Sequence, residues 1–248
     1  MTKYVLFDTE TTGNQEEDRI IQIGAMVVDS RGNIEVYDEL CYSEVDIKIE
    51  AMEVHNITPE QIKGLGDFKS TRFYNDLLKL NSEKNYLIAH NLSFDLGMLK
   101  KEGFENRMQL IDTLRCSKHL MPDSPYHRLQ YFRYSLGLYK KEEQEARKYN
   151  IEIKAHDALG DVLIMKLLLS KLVEKVKEKY PSAHPMKKLV ELTKQPVMLK
   201  TFRFGKYNGK NIEDVARQDM NYIKWMYKNM DLDEDMLYTL EHIIERYS

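Results

Sequence analysis

Runs of apolar residues in the first 45 positions predict three strands. Tyr4–Phe7 is a short run of strand-forming residues that stops at the polar cluster TETTG, as is typical of a buried central strand. Two longer runs, IIQIGAMVVD and NIEVYDELCY, are joined by Ser30-Arg31-Gly32. The spacing of these runs and the glycine between them predict an antiparallel hairpin.

From Pro59 onward the apolar residues recur at helical spacing, and the chain then alternates between strand and helix patterns. YLIAHN, at residues 86–91, predicts a strand, a helix follows near Ser93 to Lys101, and MQLIDT, at residues 108–113, predicts a fifth strand. Each apolar face must be buried against another layer. We therefore expect an α/β fold with a mixed five-stranded sheet flanked by helices.

The second half of the chain has helical patterns and one charged run. A short helix is predicted around Arg128 to Leu136, followed by KKEEQEARKYNIEIK, which we interpret as a solvated helix or loop. The alternative for this run is an arm that lies over a substrate. Another helix begins near Asp157, because apolar residues recur there at three- and four-residue steps: Ala158, Val162, Met165, Leu168, Leu169, Leu172 and Val176.

The segment KYPSAHP has two prolines and small polar residues, a composition typical of a domain boundary. The sequence therefore predicts a large domain of residues 1–180 and a small α+β module of residues 181–248.

Composition narrows the class of protein. The 248 residues carry a formal net charge of -3, which excludes the global basic field of a non-specific DNA coat protein, so any nucleic-acid contact must be local. The chain has only two cysteines, Cys41 and Cys116, which argues against a disulfide framework. Neither a leader pattern nor a run of ~20 apolar residues is evident. We expect a cytoplasmic protein with no membrane partner.

Asp8 and Glu10 are the first candidate site residues. They follow the first strand run with a spacing of two, so their side chains project from the same face. A like-charged pair is costly unless a cation neutralises it, and hard carboxylate oxygens select Mg²⁺ or Mn²⁺. The alternative for this short pattern alone is a solvated turn.

Two further acids occur at helix starts. Asp95 lies early in a predicted helix just after a buried strand, and Asp161 lies in the second turn of a helix, on the same side as Ala158 and Met165. A carboxylate on an apolar stripe costs several kcal/mol unless it is paired or bound to metal. Asp157 is interpreted as the cap of that helix.

His156 stands directly before the same helix. A lone histidine at such a junction is often structural, but near four carboxylates it is a candidate general base, because a pKa near 6.5 lets it accept a proton from water at neutral pH. Carboxylate-bound metals about 3.5–4 Å apart suit an in-line displacement at phosphorus. The combination predicts hydrolysis of a phosphodiester.

The motifs FDTETTG, AHNLSFD and HDALGD resemble, in this order, the three exonuclease motifs of the DnaQ-like, or DEDDh, superfamily. The resemblance implies a ribonuclease-H-like sheet, 3'–5' exonuclease activity that releases nucleoside 5'-monophosphates, and activation of the attacking water by His156. It also implies two Mg²⁺ or Mn²⁺ ions. Asp8, Glu10 and Asp161 would hold the first ion, and Asp8, supported by Asp95, would hold the second.

A second motif, EVHNIT, is similar to a loop of the superfamily that usually reads Val-His-Gly-Ile and lies against the 3'-terminal nucleotide. The similarity makes His55 and Thr11 candidates for substrate contact. Asn56 replaces the glycine, and asparagine tolerates positive φ better than most residues. The alternative is that His55 only caps the following helical segment. Asn91 likewise is a candidate for substrate contact or closes its own turn.

The C-terminal region has a local positive charge. Between Lys187 and Lys210 there are seven cations and one acid, Glu191, and the aromatic residues Phe202, Phe204 and Tyr207 lie among them. We interpret these aromatics, like Tyr222, Trp225 and Tyr227, as the core of the module, with a strand-binding surface as the alternative.

FGKYNGK and the residues that follow it resemble the small C-terminal domain of the exonuclease X group. The hypothesis for its role is a grip on DNA near the 3' end. QPVML, at residues 195–199, faintly resembles a bacterial sliding-clamp peptide.

The preferred interpretation is a DNA exonuclease that acts on single strands or frayed 3' ends, with replication or repair proteins as further partners. The alternatives are an exoribonuclease or oligoribonuclease that acts on RNA, a polymerase-associated proofreading subunit, and a subunit without turnover. The same acids serve both sugars, so the motifs do not choose between DNA and RNA.

Overall fold

The computed structural model describes residues 1–151 and 157–247. Its sheet has five strands in the order β3-β2-β1-β4-β5, in which β1 pairs antiparallel with β2 and parallel with β4. The predicted mixed five-stranded sheet is confirmed. The strands are β1 Lys3–Thr11, β2 Ile20–Asp29, β3 Ile34–Leu40, β4 Tyr86–Ala89 and β5 Gln109–Asp112.

Helices cover both faces of the sheet, and a 3-10 turn lies at Phe68–Ser70. Within the described residues the helices are α1 Ile49–His55, α2 Pro59–Ile62, α3 Arg72–Leu80, α4 Leu92–Lys101, α5 Thr113–Leu120, α6 Leu129–Ser135, α7 Tyr139–Tyr149, α8 Ala158–Lys179, α9 Pro185–Lys194, α10 Ile212–Gln218, α11 Met220–Asn229 and α12 Glu234–Tyr247. None of these helices is long and apolar enough to cross a membrane.

The first strand is longer than its apolar run predicts. β1 continues through the polar residues to Thr11, because its ladder with β2 extends to the pair Thr11–Ile20 after an irregularity at Glu10/Thr11. Asp8 and Glu10 therefore lie within a paired strand, whose backbone holds them more rigidly than a turn would.

Strand alternation sends neighbouring residues of β1 into two different hydrophobic layers. Leu6 packs in one layer with residues of α5, α6 and α8, whereas Val5 and Phe7 pack in the other with residues of α3 and α4. Both layers are closed to solvent, so the sheet is buried on both faces. The two cysteines, Cys41 and Cys116, are buried free thiols.

The charged run after residue 139 is largely helical, because α7 covers Tyr139–Tyr149. The predicted helices near residues 93–101, 128–136 and 157 are present as α4, α6 and α8.

The chain divides later than the proline-rich segment suggests. One compact unit comprises Met1–Thr193 and the second begins at Lys194. The difference arises at α9, whose apolar residues Leu189, Val190 and Leu192 are buried in the core of the first unit. Lys187 and Lys188 therefore belong to the first unit, and the predicted positive cluster is split between the two.

As far as residue 247, the second unit contains three helices and an isolated antiparallel bridge between Thr201 and Asn211. In its described part, the β component of the expected α+β module is reduced to this bridge. Phe202 is fully buried with Ile223, Met226 and Leu240, so it is a core residue as expected.

The segment QPVML is anchored within the second unit. The Val197 side chain is buried, and the backbone amides of Val197 and Leu199 donate to Asp235 and Thr239 of α12 at 2.8 Å each. A clamp peptide must present an extended backbone to its partner, so this geometry argues against that resemblance.

One close contact fixes the start of α8 against the sheet. A Cβ atom on Gly24 of β2 would lie 2.3 Å from the backbone N of Leu159 and 2.4 Å from the carbonyl carbon of Ala158. Gly24 is the ladder partner of Asp8. The missing side chain therefore lets the N-terminal turn of α8 approach the strand that carries the first acids.

Gly24→Ala should destabilise the protein by about 1–3 kcal/mol, because the added methyl group has no space and α8 must shift. Urea unfolding measures the change. Gly97→Ala is the matched control: Gly97 lies in α4 and a Cβ there meets nothing within 4 Å, so this variant should gain up to about 1 kcal/mol from helix propensity. Equal stability of the two variants would contradict the packing argument.

Candidate active site

Asp8 and Glu10 lie on one face near the end of β1, and both are only partly buried. In the β1–β2 ladder Asp8 is opposite Gly24 and Glu10 is opposite Gln22. The strand pairing thus holds the two carboxylates at neighbouring positions on the same side of the sheet. This is the arrangement predicted from their spacing.

Asp95 of α4 joins these acids through Thr9. Its Oδ1 atom accepts a hydrogen bond from the Thr9 backbone N at 3.1 Å and another from Thr9 Oγ1 at 2.7 Å, and the side chain is 3% exposed. β1 pairs with β4 only as far as Leu6, so the Thr9 amide lies beyond that ladder and is available to the carboxylate. Thr9 was not predicted as a site residue, and its only sequence signal is a hydroxyl between two acids.

The start of α4 is held by a second buried acid, Asp112, at the end of β5. Its two carboxylate oxygens accept hydrogen bonds from the Asn91 and Leu92 amides at 3.1 and 3.2 Å, and Oδ1 also accepts from the Leu114 amide of α5. One carboxylate therefore orients the first turns of two helices. Asp112 was not predicted as a site residue, although a polar residue at the end of a buried strand is a usable signal.

Asp157 caps α8, as predicted, because its side chain accepts a hydrogen bond from the Gly160 amide at 3.3 Å. It also accepts from Gln22 Nε2 at 2.9 Å. Gln22 is the ladder partner of Glu10, so this bond ties the start of α8 to the strand pair that carries the acids.

Asp161 follows in the first turn of α8. Ala158, Val162 and Met165 around it are buried, but Asp161 itself is only partly buried. The prediction of a carboxylate facing the core is therefore corrected: Asp161 lies at the open edge of the apolar stripe, where it reaches the other acids.

A hydrogen-bonded chain positions Asp161 from outside. Gln130 Nε2 of α6 donates to Asp161 Oδ1 at 2.6 Å. Arg133, one turn further along α6, lies 3.4 Å from Gln130 Oε1 and makes a bidentate pair with the buried carboxylate of Glu142 in α7, at 2.8 and 2.9 Å. The charged run thus contributes Glu142, whose ion pair with Arg133 holds this hydrogen-bonded chain in place.

The acids interact strongly with each other. Burial raises the pKa of Asp8 well above its usual range, and the charges of Asp95, Glu10 and Asp161 raise it further. Burial, and then the charges of Asp161, Asp95 and Asp157, raise the pKa of Glu10 to about 8. These contributions all act in the same direction. The site therefore concentrates negative charge that a cation would stabilise.

Burial and hydrogen bonding have opposite effects on the pKa of Asp95. Burial raises its pKa to about 7, although the hydrogen bonds from Thr9 favour the ionised form and act against this shift. Desolvation thus outweighs two hydrogen bonds at this position.

The donor set fits divalent metal. Asp8, Glu10, Asp95 and Asp161 supply only carboxylate oxygens, the ligands that Mg²⁺ and Mn²⁺ prefer. The raised pKa values of Asp8, Glu10 and Asp95 show the cost of ionising these buried acids, which such an ion relieves. Among residues 1–151 and 157–247, no three His, Cys, Asp or Glu side chains already stand in the arrangement of a metal site.

His156, the predicted general base, lies outside the described residues. Its neighbour Asp157 is described and interacts electrostatically with both Asp8 and Glu10.

A pocket of about 600 Å³ lies beside Glu10, and Thr11 and His55 both line it. The His55 ring bonds to backbone at both nitrogens: Nδ1 accepts from the Ile57 amide at 3.0 Å, so Nε2 carries the proton and donates to the Thr11 carbonyl at 3.2 Å. Burial lowers the pKa of His55. This neutral ring shapes the pocket wall, and Asn56 adopts the positive φ of 58° that its loop requires.

Asn91 also has a left-handed backbone, with φ of 74°, at the N-cap of α4. This conformation and the amide bond to Asp112 are what the turn-closing alternative requires.

Comparison with known proteins agrees with this geometry. Residues 5–169 match the family model described as Exonuclease. The chain belongs to the exonuclease family. Residues 202–231 match a second model, the Exodeoxyribonuclease X-like C-terminal domain, which confirms the predicted resemblance of the module.

The chain matches one relative over almost its whole length and another over about half of it. It is 27% identical to Exodeoxyribonuclease 10 of Escherichia coli K12, over 97% of this chain and 98% of that protein. It is 30% identical to the DNA polymerase III subunit epsilon of Treponema pallidum, over 54% of this chain and 65% of that protein.

The fold also matches a solved structure, exonuclease X in complex with 5' overhanging duplex DNA. The TM-score is 0.55 at 21% identity, with 77% of this chain and 99% of that chain covered. The ribonuclease-H-like fold is confirmed, and the exonuclease family is metal-dependent.

The exonuclease should lose stability with rising pH when metal is chelated. Glu10 and Asp95 have raised pKa values, about 8 and about 7, so the folded state binds more protons than the unfolded state, and stability falls between about pH 4 and pH 8. His55 and His90 have lowered pKa values, so their effect is that stability rises with pH below about pH 6.5. The clear window is therefore pH 6.5 to 8.

Urea midpoints at pH 6.5 and 8 in a chelator measure this slope. Glu10→Gln should flatten it, and Mn²⁺ should raise the midpoint most at pH 8. A midpoint that rises from pH 6.5 to 8 without metal would contradict the electrostatic argument.

Gln130→Ala should raise the Mn²⁺ concentration needed for half-maximal activity by about 10- to 100-fold, the range typical of lost outer-shell partners. The physical reason is that Asp161 loses the bond that orients it. Gln144→Ala, at an exposed glutamine of α7, is the control. If Gln130→Ala has an unchanged Mn²⁺ requirement and an unchanged thermal stability, the proposed role of Gln130 in orienting Asp161 is contradicted.

Proposed function

We propose that this exonuclease removes nucleotides from the 3' ends of DNA by hydrolysis and releases nucleoside 5'-monophosphates. The observation that carries the proposal is the convergence of Asp8, Glu10, Asp95 and Asp161 from three separate elements. Burial and the charges of neighbouring acids raise the pKa values of Asp8, Glu10 and Asp95, and a bound cation would offset this cost.

The resemblance to the DEDDh superfamily supports the roles proposed for the acids. Asp8, Glu10 and Asp161 would hold one Mg²⁺ or Mn²⁺, and Asp8, supported by Asp95, would hold a second. Such a pair of ions, when bound, stabilises charge on the attacking and leaving oxygens of a phosphodiester. Thr9 keeps Asp95 in position, and Gln130 does the same for Asp161.

His156 accepts the proton of the attacking water. The support for this role is its place in the HDALGD motif, directly before the cap residue Asp157, whose charge acts on both Asp8 and Glu10. Carboxylates close to an imidazole favour its protonated form, which such a proton transfer creates.

The terminal nucleotide binds in the pocket beside Glu10. Thr11 and His55 form part of its wall, together with the apolar side chains of Val54 and Phe94, which offer a surface to a base or sugar. Asn91, the N-cap of α4, does not line this pocket, and its proposed substrate contact is supported by its place in the AHNLSFD motif alone.

DNA is preferred to RNA because the match to Exodeoxyribonuclease 10 covers nearly the whole of both chains, including the C-terminal module. The polymerase subunit matches only 54% of this chain. These observations support an independent exonuclease over a proofreading subunit. An exoribonuclease or oligoribonuclease is the remaining alternative.

Oligonucleotides of DNA and RNA, labelled at either the 3' or the 5' end, test the proposal in the presence of Mg²⁺ or Mn²⁺. With DNA, the 3' label should appear at once as mononucleotide, while the 5'-labelled strand shortens stepwise. RNA should be degraded more slowly. Early release of the 5' label as mononucleotide would refute the polarity, and faster loss of RNA would refute the substrate.

Asp161→Asn should abolish this release without unfolding the protein, because the variant keeps the size but loses the charge of the side chain. Glu178→Gln, an exposed acid near the other end of α8, should retain full activity. Turnover retained in Asp161→Asn would refute the metal-binding role of this residue.

A further inference from the structure

The second unit exposes a large aromatic side chain on a helix. Trp225 of α11 is 53% exposed, whereas Ile223 and Met226 of the same helix are fully buried. This corrects the expectation that Trp225 belongs to the core. The indole stacks on Tyr222, with ring centroids 6.0 Å apart and an interplanar angle of 27°.

A cation stands over the same group of rings. Lys206 Nζ lies 5.7 Å from the centroid of Tyr222 and 4.7 Å from that of Tyr207. Tyr207 packs edge-on against Tyr222 at 5.0 Å. Lys206, Tyr207, Tyr222 and Trp225 together are called the aromatic face below.

The aromatic face is built rigidly. Asp219 Oδ2 accepts hydrogen bonds from Lys206 Nζ at 3.1 Å and from Tyr207 Oη at 2.8 Å, while Oδ1 accepts from the Tyr222 amide at 3.1 Å. Gly205 has φ of 73°, and a Cβ there would lie 2.7 Å from Tyr222 Oη. A rigid face loses little entropy when a ligand binds.

The surroundings of the aromatic face are cationic. From Lys194 to Lys210 the chain carries five cations and no acid, and Arg203, Lys206 and Lys210 are exposed. On α11, Lys228 follows Trp225 by three residues, which places the two on one side of the helix. Asp219 pairs with Lys206 and offsets part of this charge, so a phosphate-bearing ligand would also need the other cations.

We propose that the aromatic face binds a single strand of DNA, with a base stacked on Trp225 and phosphates beside Lys206 and Lys228. An exposed ring accepts the π-face of any base, and nearby cations attract the phosphates of the backbone. The choice of DNA rests on the proposed function. The binding itself requires neither metal nor turnover.

Trp225 is the only tryptophan in the chain, so its fluorescence reports on this face alone. The full-length protein is titrated with an oligothymidylate in a chelator, which prevents hydrolysis. We expect saturable quenching that weakens as salt is added. An oligonucleotide of abasic residues has the same charge but no bases, and should quench less and bind more weakly.

Variants separate stacking from charge, with binding followed by the anisotropy of a labelled strand. Trp225→Ala should weaken binding by roughly 5- to 150-fold, and Trp225→Phe should retain most of it. Tyr227→Ala is the matched control, because Tyr227 is also exposed on α11 but points to a different side of the helix. Lys228→Gln should reduce the salt slope by about 0.7.

Absence of quenching, or equal binding by Trp225→Ala and the control, would overturn the proposal and leave the face to a protein partner. Stronger quenching by an RNA strand would overturn the choice of DNA. The proposed function is judged separately, by hydrolysis with Mg²⁺. If DNA is hydrolysed but Trp225 fluorescence is not quenched, only this inference is contradicted. If the fluorescence is quenched but DNA is not hydrolysed, only the proposed function is contradicted.

Discussion

The first turn of α8 reaches the end of β1 because residue 24 has no side chain. Gly24 is the ladder partner of Asp8, and the backbone of Ala158 and Leu159 occupies the space where its Cβ would lie. This contact brings Asp161 to acids more than 150 positions earlier in the chain. The electrostatic character of the site depends on it, since Asp161 raises the pKa of both Asp8 and Glu10.

Carboxylates held this close repel each other, so the fold must hold them in place. Each receives a specific polar contact or a rigid backbone: Thr9 binds Asp95, Gln130 binds Asp161, and the β1–β2 ladder holds Asp8 and Glu10. Gln22 adds a bond across the strand to Asp157. Two hydrophobic layers on opposite faces of the sheet supply the burial that offsets this repulsion.

The second unit shows how composition can mislead about exposure. Its aromatic residues are split between two environments: Phe202 fills the core, whereas Trp225 faces solvent on top of Tyr222. The cationic residues of the C-terminal region are also split between the two units, because α9 is part of the first unit and packs in its core. Cationic and aromatic residues that look alike in the sequence therefore lie in three different places: the core of the second unit, its surface, and helix α9 of the first unit.

By itself, the sequence determined the strand and helix pattern, the mixed sheet, the four acids and the cap at Asp157. It could do so because strand and helix periodicities are local, and because each motif carries its acid at a distinctive place. Tertiary structure alone decided the roles of Thr9, Asp112 and Gln130, the length of β1 and the exposure of Trp225. These features depend on hydrogen bonds and packing between residues distant in the chain, such as Gln130 and Asp161, and no local pattern encodes such contacts.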